Sequence, residues 1–296
     1  MPVLVVGAER VVGRAAVAAL ARAGGDVRAF AEAGITRPEV LAALRGVGAR
    51  VAVGTLDDEA HLEAALTDVH TVVLLPGGPL AEPAAQLEAA AATVAAAEAA
   101  GCRRLVVTSE LGTEEPAGLA YLEALAEIEA LAADSGLEAV VLRCALRVGR
   151  GEPLVAALAA SDLPSEVARA AHAPVFVDDV AAAVAAADAA RDDRPAADML
   201  LELVGPDTVT LGALAAHPAV RRSRRGECAA APPGPGGLLA ALPAELHRWL
   251  ARPGCGGRDA LGRAGTSLEA ALSAPVWPAA DGSRSQRRGS NGTKES

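Results

Sequence analysis

Short, wholly apolar runs alternate along the first half of the chain with longer stretches in which apolar residues return every three or four positions. Val3–Val6 reads as a buried strand bounded by Gly7. Val11 to Ala23 reads as a helix closed by Gly24-Gly25, and Asp26 to Phe30 as a second strand. Thr36-Arg37-Pro38-Glu39 caps a helix running to about Arg45, and Arg50 to Val53 is a third strand ended by Gly54. Asp57-Asp58 cap a helix with Leu62, Ala65 and Leu66 on one face. His70 to Leu75 is a fourth strand with Pro76-Gly77-Gly78 as its exit loop, and an alanine-rich helix from Pro83 ends at Gly101. Arg104 to Thr108 forms a fifth strand. In the helix Tyr121 to Asp134, Leu122, Leu125, Ile128 and Leu131 face inward and Glu123, Glu127 and Glu129 outward; Ala139 to Leu142 is a sixth strand. Strands alternating with helices at this rhythm predict an α/β fold with a doubly wound parallel sheet covered on both faces.

Beyond Gly149 the pattern loosens. Pro174 to Val177, a helix Val180 to Ala190 capped by Asp178-Asp179, and Leu200 to Val204 read as further strand–helix–strand units. Pro218 to Gly237 reads as a mobile loop, Leu238 to Leu250 and Ser267 to Leu272 as helices, and the Ser/Gly/Arg-rich stretch from Pro275 as disordered. The predicted organisation is a core over 1–150, a small C-terminal lobe over 151–274 whose strands return to the sheet, and a tail over 275–296.

Composition narrows the function. With 52 % apolar but only 2 % aromatic residues, the core is built from Ala, Val and Leu. A net charge of −10 argues against nucleic acid as a partner, since phosphate binding needs a basic field. The basic clusters Arg221–Arg225 and Arg284–Lys294 read as solvated loops. Cys102, Cys144, Cys228 and Cys255 show no metal-ligand spacing and read as reduced thiols, and no metal site is expected. The first strand begins two residues from the start, leaving no room for a signal peptide, and the apolar helices carry acids such as Glu88 and Glu98. These features predict a cytoplasmic protein without a membrane partner.

The opening strand, glycine turn and helix N-terminus form a geometry that holds a pyrophosphate on unpaired N–H groups. Gly7-Ala8-Glu9-Arg10-Val11-Val12-Gly13 resembles the G-A-T-G-x-x-G opening of the NmrA-like, atypical branch of the extended short-chain dehydrogenase/reductase superfamily, with Arg10 in the central glycine's place. Later segments follow in the family's order. They are Gly54-Thr55-Leu56-Asp57-Asp58, the strand end Thr108-Ser109, Glu127 with Ser135-Gly136-Leu137 and Val141-Leu142-Arg143, Val177-Asp178-Asp179-Val180, Gly205-Pro206 with Thr210-Leu211, and Gly262 to Glu269. The resemblance spans roughly 1–272 and implies a Rossmann fold binding NAD or NADP together with a small-molecule substrate. It implies cofactor contacts at Gly7, Ala8, Arg10, Val11, Val12, Gly13, Glu32, Thr55, Leu56, Leu75, Pro76 and Thr108.

Two alternatives stay open at the turn. The Arg10 side chain either blocks the usual backbone approach to the pyrophosphate or pairs with a phosphate. Glu32 stands where NADP-using members carry a basic residue, so NAD is slightly favoured, with Arg37 available from the following loop; the alternative is that Glu32 is an ordinary surface carboxylate.

The superfamily's Tyr-x-x-x-Lys chemistry has weak counterparts in Ser109 and Tyr121. Leu125 occupies the lysine's place, the sole lysine is Lys294, and Glu123 stands where the atypical branch often carries a His or Lys before the matched Glu127. The five histidines form no catalytic motif and read as surface or cap residues. The resemblance thus predicts an NAD(P)(H)-dependent oxidoreductase that reduces a quinone- or carbonyl-type substrate without a Tyr–Lys pair. Its rival is a catalytically silent nucleotide sensor or scaffold with a degenerate site.

Overall fold

The computed structural model describes residues 1–149, 151–160, 162–190, 199–220 and 265–273. In chain order the core elements are β1 (Pro2–Val6), α1 (Val11–Arg22), β2 (Asp26–Glu32), α2 (Pro38–Gly46), β3 (Arg50–Gly54), α3 (Glu59–Leu66), β4 (Thr71–Leu74), α4 (Pro83–Ala99), β5 (Arg104–Glu110), α5 (Ala120–Asp134) and β6 (Glu138–Cys144). They are followed by β7 (Arg147–Val148), α6 (Pro153–Ala160), α7 (Ser165–Arg169), β8 (Ala171–His172), β9 (Val175–Phe176), α8 (Val177–Ala189), β10 (Met199–Leu203), β11 (Val209–Thr210), α9 (Leu211–Ala216) and α10 (Leu268–Ser273).

Seven strands form one sheet in the order β10-β6-β5-β4-β1-β2-β3, every pairing parallel. Successive side chains of a strand leave opposite faces. Val3, Val5, Ala29, Val73, Val106 and Val140 therefore join one core with α1 and α8. Leu4, Val6, Phe30, Val72, Leu74, Leu105 and Val107 join a second core with α3, α4 and α5. Strand order reverses at β1, which has β4 on one side and β2 on the other, so the crevice of this doubly wound sheet opens at the C-terminal ends of β1 and β4.

Several local expectations change. Glu129 is 9 % exposed rather than outward-facing, because its carboxylate is bound by Arg143 and by two hydroxyls. Asp178 and Asp179 lie within the first turn of α8 instead of capping it from outside. Asp179 instead anchors the far C-terminal segment, accepting from the Thr266 amide at 2.7 Å and its hydroxyl at 3.1 Å. His172 is buried in β8 rather than on the surface. The expected loop, helix and tail over 221–264 and 274–296 lie outside the described residues.

The β1–α1 turn depends on two glycines. Gly7 takes φ +82°, and a Cβ there would stand 2.7 Å from the Leu75 carbonyl oxygen. Gly13 lets α1 rest directly on the turn, since its Cβ would stand 2.1 Å from the Gly7 carbonyl oxygen and 2.8 Å from Ala8 Cα. Both obstacles are backbone, so Gly13→Ala is expected to lower the unfolding free energy in urea by about 1–3 kcal/mol, the usual cost of overpacking. An unchanged midpoint would contradict this contact.

Candidate active site

The turn after β1 carries a bare helix end. Arg10 is the residue preceding α1, and no side chain caps the helix. Its guanidinium is folded along the crevice: Nε lies 3.1 Å from the position a Gly7 Cβ would take, and Nη1 lies 2.9 Å from that of a Gly77 Cβ. Arg10 thus spans from the β1 turn to the exit loop of β4. Arg10 Nε lies 3.3 Å from a Glu9 carboxylate oxygen, yet it has no hydrogen-bond partner. Arg14 Nε and Glu9 Oε2 are likewise buried without one. Burial pushes the Glu9 carboxyl up from its ordinary value, against the pull of Arg10, and Glu32 adds to its neighbourhood. Burial lowers Arg14, and the Arg37 charge lowers it further.

Outside the turn itself, the other residues read from the sequence lie at or just beyond the C-terminal ends of β2 to β5. Glu32 closes β2, paired in register with Gly54 of β3. Thr55 is exposed, whereas Leu56 packs against the core. Leu75 is buried, and its amide donates to the Val6 carbonyl at 3.2 Å, which holds the two strand ends together. Pro76 follows at the rim, Ala8 and Val12 are buried, and Val11 packs at the edge of the core. Thr108 is buried in β5.

Ser109 and Tyr121 direct their hydroxyls to different acids. Ser109 Oγ donates to Glu129 Oε1, which also accepts from Thr113 Oγ1 at 2.8 Å and from Arg143 Nε at 3.1 Å. Arg143 Nη2 completes a forked pair with the other carboxylate oxygen at 2.7 Å. It is thus Glu129, and not the exposed Glu127, that partners the arginine of the Val141-Leu142-Arg143 run. Four residues before Glu129, and four after Tyr121, stands Leu125, buried in the core.

Tyr121 donates its hydroxyl proton to Glu110 Oε1 at 3.0 Å, and Arg147 Nη2 approaches the same oxygen at 2.7 Å. Glu110 and Arg147 were missed in the sequence. Glu110 ends a strand that is otherwise apolar or small and polar, and an acid after Thr108-Ser109 was the available signal. Burial pushes Glu110 up to about 7, opposed by the Arg147 charge and the Tyr121 hydrogen bond. Burial and then the Glu110 charge raise Tyr121 well above its ordinary value. Burial would lower Arg147, but Glu110, Tyr121, Cys144 and Glu152 together hold it higher. This group lies at the C-terminal end of β5, next to β4, and Arg147 Nη2 stands 3.9 Å from where a Gly78 Cβ would be.

Among the described residues no group of His, Cys, Asp or Glu could hold a metal, and no helix is long and apolar enough to cross a membrane. Cys102 and Cys144 are buried free thiols. The unsatisfied Arg10 and Arg14 donors at a bare helix N-terminus suit an anionic group, so the residues present fit a dinucleotide pyrophosphate.

The Glu110 carboxyl also shapes stability. It titrates near 4.5 when unfolded and near 7 when folded, so the folded chain holds the extra proton between those values. Its contribution is full below about pH 4.5, declines as pH rises, and is lost above about pH 7. Each displaced unit corresponds to about 1.4 kcal/mol. Between about pH 5 and pH 8, wild-type unfolding free energy is expected to fall more than that of Glu110→Gln, by on the order of 1–3 kcal/mol. Urea titrations at the two pH values test this, and an equal slope in both proteins would contradict it.

Solved proteins share the fold. A triphenylmethane reductase of Citrobacter sp. complexed with NADP(H) superposes with a TM-score of 0.57 at 19 % identity, covering 71 % of this chain and 72 % of that one. A UDP-glucose 4-epimerase of Brucella ovis in complex with NAD gives 0.60 at 15 % identity, covering 72 % and 80 %. By sequence, a (4-alkanoyl-5-oxo-2,5-dihydrofuran-3-yl)methyl phosphate reductase of Streptomyces griseus subsp. griseus is 42 % identical over 114 residues. That match spans 38 % of this chain and 36 % of the relative, little more than a third of either. A family model described as NAD(P)H-binding matches residues 7–189, from the first glycine of the turn to the end of α8. The chain belongs to this NAD(P)H-binding, NmrA-like family of Rossmann-fold proteins.

Proposed function

We propose that the protein is an NAD(P)H-dependent reductase that transfers hydride to a small carbonyl- or quinone-type acceptor without a Tyr–Lys pair. The observation that carries the reading is the intact strand–turn–helix at β1 with unsatisfied Arg10 and Arg14 donors beside it. The partial relative is named a reductase, which agrees in reaction class.

In this reading the free amides at the start of α1 and the Arg10 guanidinium bind the pyrophosphate. Glu32 accepts hydrogen bonds from the adenosine ribose hydroxyls, and its charge disfavours a 2′-phosphate. Thr55 and Leu56 border the adenine, Leu75 and Pro76 form the floor, and Thr108 borders the nicotinamide side. When bound, the reduced nicotinamide supplies the hydride, and the protein supplies orientation and a pocket shielded from water. The lobe built from β7–β9, α6, α7 and α9 then covers the acceptor. The rival reading, a nucleotide sensor, draws on Arg10 spanning the crevice and on Leu125 in the lysine's place.

Initial-rate assays of NADH and NADPH oxidation with menadione and benzaldehyde test the reading. Turnover favouring NADH is expected, and binding without any turnover would favour the sensor. Arg10→Gln removes a charge-assisted hydrogen bond worth roughly 1.5–3 kcal/mol, so KM for NADH should rise about tenfold or more. A lower KM would show that Arg10 obstructs the site.

A further inference from the structure

We propose that Tyr121 and Glu110 form a proton-delivery chain for the reduction, with Tyr121 giving its proton to the acceptor oxygen, Glu110 reloading it, and Arg147 standing in for the missing lysine. This inference rests on the reductase reading above.

The geometry carries it. Tyr121 OH, Glu110 Oε1 and Arg147 Nη2 converge, with 3.0 Å between the hydroxyl and the carboxylate and 2.7 Å between the carboxylate and the guanidinium. The group stands at the end of β5, one strand beyond β4 on the side away from β2 and β3, where Glu32 and Thr55 take the adenosine half. Arg147 faces the β4 exit loop at Gly78, while Arg10 faces the same loop at Gly77. A dinucleotide held with its pyrophosphate at Arg10 and its adenosine toward Glu32 would have its nicotinamide half on the Tyr121 side of the crevice.

The direction of the Tyr121 proton depends on Glu110. With Glu110 ionised, the phenol donates to the carboxylate, as in the structure. With Glu110 protonated, the carboxyl donates to the phenol oxygen and frees the phenol proton for the acceptor. With an aldehyde as acceptor, the carbonyl carbon would take hydride from the dihydronicotinamide, breaking that C–H bond and forming a new one. The π electron pair moves to the carbonyl oxygen, which takes the Tyr121 proton. Tyr121 regains a proton from Glu110, and Glu110 regains one from solvent, so each turnover consumes one hydride and one proton. Arg147 prevents charge from building up unpaired when Glu110 is ionised. The charged and titratable groups around Glu110 are Tyr121 from α5, Arg147 from β7, Cys144 from β6 and Glu152 ahead of α6. Burial holds Cys144 up at about 12, so it stays a neutral thiol.

Infrared titration of the full-length free protein, without dinucleotide, should show a carboxyl that loses its proton near pH 7, and Glu110→Gln should remove that band. In menadione and benzaldehyde reduction with NADH, wild-type kcat should decline above about pH 7, and Glu110→Gln should lose that limb. Arg147→Met should move the limb upward, because the cation that favours ionised Glu110 is gone. Tyr121→Phe should cut kcat by about 10²–10⁴-fold with NADH affinity unchanged. No titrating carboxyl near pH 7, a limb that persists in Glu110→Gln, or full kcat in Tyr121→Phe would each overturn the proton chain while leaving the reductase standing. A wild-type protein that binds neither dinucleotide overturns the reductase reading itself, and the proton chain with it.

Discussion

The close seating of α1 on the first turn is the contact on which the remaining site geometry depends. Gly13 allows helix backbone to meet the Gly7 carbonyl, and Gly7 allows that turn to meet the Leu75 carbonyl. These approaches bring the ends of β1 and β4 level with the start of α1. The crevice, the bare amides and the Arg10 side chain all take their places from there. A Cβ at either contact would press on backbone, which explains why these two positions are glycine while Arg10 stands between them.

Strand β5 organises the other half of the crevice. Ser109 and Glu110 are adjacent and so leave opposite faces of the strand. Ser109 joins Glu129, Thr113 and Arg143 in a buried, fully hydrogen-bonded cluster that ties α5 to β6. Glu110 joins Tyr121 and Arg147 next to the β4 loop. Two arginine–carboxylate pairs thus meet the end of one strand, and both reach α5, through Glu129 and through Tyr121. The Glu129 pair is a forked ion pair that secures packing. The Glu110 pair keeps a carboxyl near neutrality within reach of a phenol, which suits proton transfer.

The parallel sheet was readable from the sequence because buried strands such as Val3–Val6 are continuously apolar and helices such as α3 show one clean face. Asp58 was readable as a cap, and it accepts from the His61 amide at 3.1 Å. Glu129 was not, since helical spacing places it near the boundary of the apolar face and its burial follows from Arg143 on the next strand, β6. The same holds for Asp179, whose partner Thr266 lies 87 residues away. Among the site residues, Gly7 and Gly13 were legible because turn geometry demands them. Glu110 and Arg147 were hidden because their meeting depends on the β6–β7 path, where no periodic pattern guided the reading.

The central claim is that the first turn still holds a dinucleotide despite Arg10. Calorimetric titration of the full-length protein with NADH and NADPH tests it most directly. The account predicts that both bind at a single site and that NADH binds more tightly. Absence of heat and of competition by either form would contradict it, leaving the Rossmann architecture without its cofactor.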